Sequence, residues 1–172
     1  MQISIKKAIA DAMPVELHMH IQPLTGYDSS PEVVMLASSR GWLLARCLDD
    51  GLQPNGYFAV SRRHVRSLQT SKHRSFRKHI LQAEGIWSRV LRAPAIELRS
   101  AATILRSLQK RQEFAIVVRE TFEDWHSIHC CIERVSDDYA TLLASMGRGS
   151  GSVARCGWTS PTSLEYGSDL VI

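Results

Sequence analysis

The sequence predicts a mainly β protein: two small, strongly bent, five-stranded antiparallel barrels from an internal duplication, joined by a helical linker. Three observations carry this. Short apolar or alternating runs bounded by turn formers recur over residues 15–69 and again over 114–167. The stretch between them changes to helical spacing and is dense in arginine. Pieces of the two β-rich parts also repeat one another's pattern at a constant separation. At 172 residues the chain has room for one ordinary domain or two very small ones. The predicted organisation is a first β unit with its N-terminal segment at 1–72, a basic helical linker at 73–112 and a second β unit at 113–172.

Ile3 to Ala12 reads as a short helix that Pro14 brings to an end. From Val15 to Gln22 apolar and polar residues alternate without a break, as in a half-buried strand with Glu16, His18, His20 and Gln22 outward. Gly26 to Pro31 is a loop by composition. Glu32 to Ala37 is a short apolar strand, and the turn Ser38-Ser39-Arg40-Gly41 leads into a third, Trp42 to Leu48. Asp49 to Gly56 is rich in turn formers and reads as a hairpin connection. Tyr57 to Val60 is the fourth strand, Ser61 to His64 a one-turn excursion, and Val65 to Gln69 a short fifth strand.

In the middle, Phe76, Ile80 and Leu81 fall near helical spacing over 75–83, with Gly85 placed to stop that helix. Ile104, Leu105 and Leu108 form the stripe of a second helix, from Ser100 or Ala101 to Lys110. Gly85 to Pro94 fits neither pattern. Strands return at Phe114–Glu120, Ser127–Val135, Tyr139–Ser145 and Val153–Cys156, closing with Ser163–Gly167; Gly147 to Gly151 is a Gly-rich hairpin tip. Leu43-Leu44-Ala45 matches Leu142-Leu143-Ala144, and Val60 to Leu68 matches Cys156 to Leu164 at a separation of 96 residues. Only two of those nine positions are identical, so the likeness is one of pattern.

The order of a long second–third strand hairpin, a polar turn, a strand, a one-turn link and a short last strand resembles the Sm-like (Lsm) fold. Gly56 to Leu68 carries the resemblance in the first unit and Val153 to Leu164 in the second. The resemblance implies tandem Sm-like barrels and RNA as a ligand class. The Asp/Asn-bearing turn that this family uses for nucleotides is not reproduced, although Asp49-Asp50-Gly51 lies nearby.

Charge points the same way. Lys and Arg number 21 against 17 Asp and Glu, for a net charge of +4. Thirteen of those cations fall within residues 61–111, opposed there by only Glu84 and Glu97. Such a run is the electrostatic footprint of phosphate binding, through counterion release. Arg62, Arg63, Arg66, Arg74, Arg77 and Lys78 are the candidate nucleic-acid contacts, with Tyr57, Phe58 and Phe76 the nearby rings for base stacking. If 73–112 is a solvated linker, reversing Arg74, Arg77 and Lys78 should spare the fold. The alternative reading is a protein-interaction or structural module in a homo-oligomer, with the basic run docking a partner, another copy or the chain's own acidic parts. Exposed edge strands predict such a homo-oligomer.

No catalytic motif is present: neither a G-x-S-x-G elbow nor a phosphate-loop G-x-x-x-x-G-K-[ST] occurs, so the expectation is a non-enzymatic binding module without cofactor. His18 and His20 share one strand face, and so do His129 and Cys131, but neither pair has a second cluster at zinc spacing, and no metal is expected. Four scattered cysteines, no apolar run of spanning length and no signal-like N-terminus predict reduced thiols, no membrane partner and a cytoplasmic location.

Overall fold

The computed structural model describes residues 2–19, 31–70, 73–120, 125–144, 152–157 and 170–171. The chain is mainly β, with two antiparallel sheets, and divides into unit 1, Met1–Pro94, and unit 2, Ala95–Ile172.

Unit 1 opens with β1 (Gln2–Ile3) and α1 (Ile5–Asp11). The Ser4 side chain caps α1 by accepting from Lys7 N at 3.3 Å, and the helix ends on Ala12 in the left-handed region, φ 45°. Then follow β2 (Pro14–Met19), β3 (Glu32–Ser38), β4 (Trp42–Leu48), β5 (Pro54–Ser61), a 3₁₀ turn at Arg62–His64 and β6 (Val65–Thr70). The strand order is β1-β6-β2-β3-β4-β5. Val15, Leu17, Val33, Met35, Leu43, Ala45 and Val60 are buried, as alternation places them.

The other face of this sheet is covered too. Pro14, Val34 and Arg46 stand opposite one another across β2, β3 and β4. Over them lie α2 (Arg74–Ala83) and α3 (Trp87–Val90), where Leu81 and Val90 close a cluster with Val34 and Leu48, and Ile86 and Trp87 pack at its border. Gly85, at φ 72°, makes the sharp bend between the helices: its N–H donates to Gln82 O and that of Ile86 to Leu81 O, the paired hydrogen bonds of a glycine-ended helix.

Unit 2 consists of α4 (Ala101–Arg111), β7 (Phe114–Glu120), β8 (Trp125–Val135), β9 (Tyr139–Ala144), β10 (Ser152–Gly157) and β11 (Leu170–Val171), a helix followed by five strands as in α1 and β2 to β6. Ser100 caps α4 in a reciprocal pair with Thr103, and the helix ends on Gln112 at φ 54°. Strands β7, β8 and β9 form the body of the sheet, with β10 beside β9 and β11 beside β7.

The β3–β4 and β8–β9 ladders agree in register. Val33 pairs with Cys47 and Met35 with Ala45; 97 residues on, Cys130 pairs with Ala144 and Ile132 with Leu142. Each ladder then skips one residue of its first strand, Leu36 in β3 and Glu133 in β8, and resumes at Ala37↔Leu44 and Arg134↔Thr141. The turn into the next strand is the same in both: Trp42 N donates to Ser39 Oγ at 3.1 Å, and Tyr139 N to Ser136 Oγ at 3.1 Å.

Several expectations are corrected. Neither sheet is a closed barrel, and the first has six strands rather than five. A strand has two hydrogen-bonding edges; those of β6 are taken by β2 and β1, which leaves none to close on β5. The segment 73–112 is divided, with 73–94 belonging to unit 1 and 95–112 to unit 2. Leu43-Leu44-Ala45 corresponds in register to Ala140-Thr141-Leu142, two residues earlier than the match to 142–144. The separation of 96 does hold in the next strand, where Ser61 opposes Trp42 as Gly157 opposes Tyr139. It does not reach the last one: Val171 opposes Val118 in β7, whereas 163–167 lie outside the described residues, as do His20 to Ser30 and Gly147 to Gly151.

Candidate nucleic-acid interface

The six predicted contacts do not form one surface. Arg62 and Arg63 sit exposed in the 3₁₀ turn and Arg66 is exposed on β6. Arg74 opens α2 and is half-buried. Arg77 and Lys78 are held by unit 1 itself. Arg77 pairs with Glu32, whose side chain is only 12% exposed. Lys78 Nζ donates to Asp11 O at 3.4 Å and lies 5.2 Å from the centre of the Trp87 ring. Arg77 ties α2 to β3 and Lys78 ties it to α1 and α3, so the expectation that they stand on a solvated linker is corrected.

The first three do gather, joined by a residue that the basic run did not include. A groove of about 430 Å³ runs along β1, the start of α1, the 3₁₀ turn and β6. Lys6, Arg62 and Arg66 line it together with Gln2, Ser4 and Ser67, over an apolar floor that includes Ile3 and Leu68. Among the described residues none of its lining side chains is acidic. Arg62 is oriented by the β3–β4 turn: its N–H donates to Gly41 O at 2.8 Å and its Nη1 to Ser39 O at 3.2 Å. Arg63 does not line the groove. Lys6 was visible in sequence only as part of Lys6-Lys7, some 55 residues ahead of the basic run. A groove of this size falls in the ~300–1,000 Å³ range of ligand clefts.

None of the three predicted stacking rings lines the groove. Tyr57 lies beneath the Arg46 guanidinium, 3.6 Å from its ring centre, and Phe76 is exposed on α2. Arg46 itself is structural. Its Nη2 donates to Tyr57 Oη, to Arg89 O at 3.2 Å and to Arg92 O at 3.4 Å, while the Tyr57 hydroxyl donates to Arg92 O at 2.9 Å. The pair thus gathers the carbonyls at the end of α3, where a cation is favoured. Elsewhere in the basic run, Arg99 pairs with Glu97, Arg106 with Asp137 and Arg111 with Glu113. Arg99 and Glu97 hold one another charged, the arginine pKa raised and the carboxyl lowered, chiefly by the hydrogen bond between them.

The histidine and cysteine candidates are dispersed. His18 Nε2 lies 3.6 Å from Glu16 Oε2, and His20 is outside the described residues. On β8, His129 and Cys131 share the exposed face and Cys130 is buried on the other. Among the described residues no three His, Cys, Asp or Glu side chains gather around a common point. Cys47, Cys130 and Cys131 are free thiols.

Burial pushes the Cys47 thiol from its ordinary 9.0 up to about 11, against a smaller opposing pull from Arg46. Above pH 9 the unfolded chain ionises this thiol while the fold keeps it protonated. Its contribution to stability is therefore complete below pH 9 and is lost between pH 9 and 11, by up to about 2–3 kcal/mol. Urea midpoints at pH 7, 9 and 10.5 should fall more steeply in the parent protein than in Cys47→Ala. Parallel curves would show that the thiol's surroundings do not disfavour its anion.

No family model matches this chain, and no curated protein or solved structure matches it either. Among the described residues no helix is long and apolar enough to cross a membrane.

Proposed function

We propose that this protein is a non-enzymatic nucleic-acid-binding module of the cytoplasm that holds phosphates in the groove between α1 and β6. The observation that carries the reading is the convergence of Lys6, Arg62 and Arg66 on one groove with no acid among its lining side chains. Unit 1 is the cationic half, with thirteen Lys and Arg against seven Asp and Glu, whereas unit 2 has eight against ten. Three cations spread over an α-helix, a turn and a strand suit a chain of phosphates better than a single anion. With no ring in the lining, binding rests on the backbone of the nucleic acid and carries little sequence preference.

The two units are further proposed to be duplicated copies of an Sm-like unit. Support comes from their matched elements, the shared bulge at Leu36 and Glu133, and the same serine turn before β4 and β9. Strand order supports it too, β6-β2-β3-β4-β5 beside β11-β7-β8-β9-β10. On this reading the duplicate has lost the ligand site: the groove of unit 1 uses β1, for which unit 2 has no counterpart among the described residues.

The test is fluorescence anisotropy with single-stranded RNA and duplex DNA at two salt concentrations. Three phosphate contacts predict that log K falls by about 2 for each tenfold rise in salt on a single strand. Lys6→Glu, Arg62→Glu and Arg66→Glu combined should abolish binding, while Arg74→Glu should change it little. Binding that survives the triple reversal, or none at low salt, would transfer the case to the protein-interaction reading.

A further inference from the structure

We infer that Arg62 is the cation that fixes how a phosphate sits in the groove and that Ser39 is its positioning residue; this rests on the phosphate-binding reading and ranks the cations within it. Arg62 is held at both ends by one turn. Its backbone N–H donates to Gly41 O at 2.8 Å and its Nη1 to Ser39 O at 3.2 Å. Ser39 closes that turn: its Oγ accepts from Gly41 N at 3.3 Å and from Trp42 N at 3.1 Å, and its own N–H donates to Trp42 O at 2.9 Å. Trp42 stands opposite Ser61 in the β4–β5 ladder, so Arg62 meets the turn one residue past the last ladder pair. Lys6 and Arg66 are exposed on α1 and β6, and among the described residues no hydrogen bond or ion pair holds either head group.

A guanidinium carries its five N–H donors in one planar fork. With Nη1 bonded to Ser39 O, the edge formed by Nε and Nη2 is left whole, and such an edge takes two phosphate oxygens at once. A tethered arginine has also given up part of the rotamer freedom that a loose one loses on binding. Arg62 thus meets a phosphate as a preset fork, whereas Lys6 and Arg66 supply charge that adjusts to the phosphates on either side. A lysine at 62 would keep the charge, but a single ammonium cannot hold Ser39 O and grip two phosphate oxygens in one plane.

The turn also has a structural use of its own. Ser136 builds the same turn in unit 2, where Tyr139 N donates to its Oγ at 3.1 Å and its N–H donates to Tyr139 O at 2.9 Å. There the separation of 96 residues sets Trp158 against Arg62 and Thr162 against Arg66 in the sequence. The serine turn therefore occurs without these cations, and what unit 1 adds is an arginine bonded to its carbonyls. A Ser39 variant that merely loosened the sheet would weaken binding whatever stands at 62. Only an effect that depends on Arg62 marks positioning.

Fluorescence anisotropy of the full chain with a labelled single-stranded RNA, at two salt concentrations, separates charge from position. Arg62→Lys keeps the number of cations, so the salt slope should match that of the parent protein while affinity falls about tenfold, the worth of one charge-assisted hydrogen bond. Arg66→Lys should lose less, about threefold or under. Ser39→Ala should weaken binding about fivefold in the parent background and no further once Arg62 is lysine, and Ser39→Thr, which keeps the hydroxyl, should restore it. Circular dichroism checks each fold, and the two lysine variants leave the turn intact, so they decide the ranking even if Ser39→Ala does not fold. Equal losses in Arg62→Lys and Arg66→Lys, or a Ser39→Ala effect that persists beside Arg62→Lys, would overturn the inference and leave the phosphate groove standing. No binding by the parent protein at low salt would overturn both.

Discussion

Leu81→Ala should lower the stability of unit 1 by about 3 kcal/mol, the middle of the range for truncating a fully buried leucine. Leu81 is 0% exposed and stands at the centre of the cluster with Val34, Leu48 and Val90. It is also the residue whose carbonyl receives Ile86 N at the bend between α2 and α3. Removing its side chain leaves a cavity that the sheet beneath cannot collapse into, since β3 and β4 are held by their ladder. Urea denaturation gives the magnitude. Hydrogen exchange gives the location: protection should fall first in Arg74–Val90 and last in β3 and β4. A loss below about 1 kcal/mol would mean that α2 and α3 rest on the sheet without depending on this contact.

Arg77→Glu should be nearly as damaging, at about 2–3 kcal/mol, somewhat under the usual cost of breaking a buried ion pair because Arg77 keeps partial access to water. The reason lies in the ladder. Glu16 and Glu32 are direct partners across β2 and β3, so two carboxylates already face one another on this surface. Arg77 is the cation that pairs with Glu32, and His18 stands beside Glu16. A glutamate at 77 would put a third carboxylate against them. Arg77→Met, which removes the charge without adding repulsion, should cost about half as much. Equal midpoints for Arg77→Glu and the parent protein would show that the pair contributes nothing.

Local structure was legible in the sequence wherever one face is buried and the other is not. The Val15–Leu17 alternation, the Trp42–Leu48 strand, the turn at Ser61–His64 and the two helical stripes all lie where their periodicity puts them. Period and turn chemistry are properties of neighbouring residues, and neighbouring residues are what a sequence displays. The outer cover of unit 1 was not legible. Phe76, Ile80 and Leu81 announce a helix, but nothing local says that its leucine meets Val34, some 47 positions earlier. The same limit governed the charges. Thirteen cations in a row of fifty residues look like one surface, yet Arg77, Lys78, Arg99, Arg106 and Arg111 are occupied by partners within the protein. Lys6, far away in sequence, joins Arg62 and Arg66 instead. The one-residue skip at Leu36 and Glu133 was hidden for a related reason: a bulge is a relation between two strands and leaves no mark on either alone.

The helix ends at Ala12 and Gln112 have a bearing on evolutionary headroom. Both residues sit in the left-handed region, as does Leu52 in the β4–β5 connection, and none of the three is glycine or asparagine. For an L-residue with a side chain that conformation costs roughly 1 kcal/mol. The chain has kept the more expensive residue at three separate turns, in both of its halves. At Ala12 and Gln112 a single substitution to glycine would relieve that cost, whereas Leu52 also packs against the Val34–Leu48–Leu81–Val90 cluster, so its side chain has a second use. The persistence of the other two fits a protein held just above the threshold its working conditions require, with unused stability still within reach of a few point mutations.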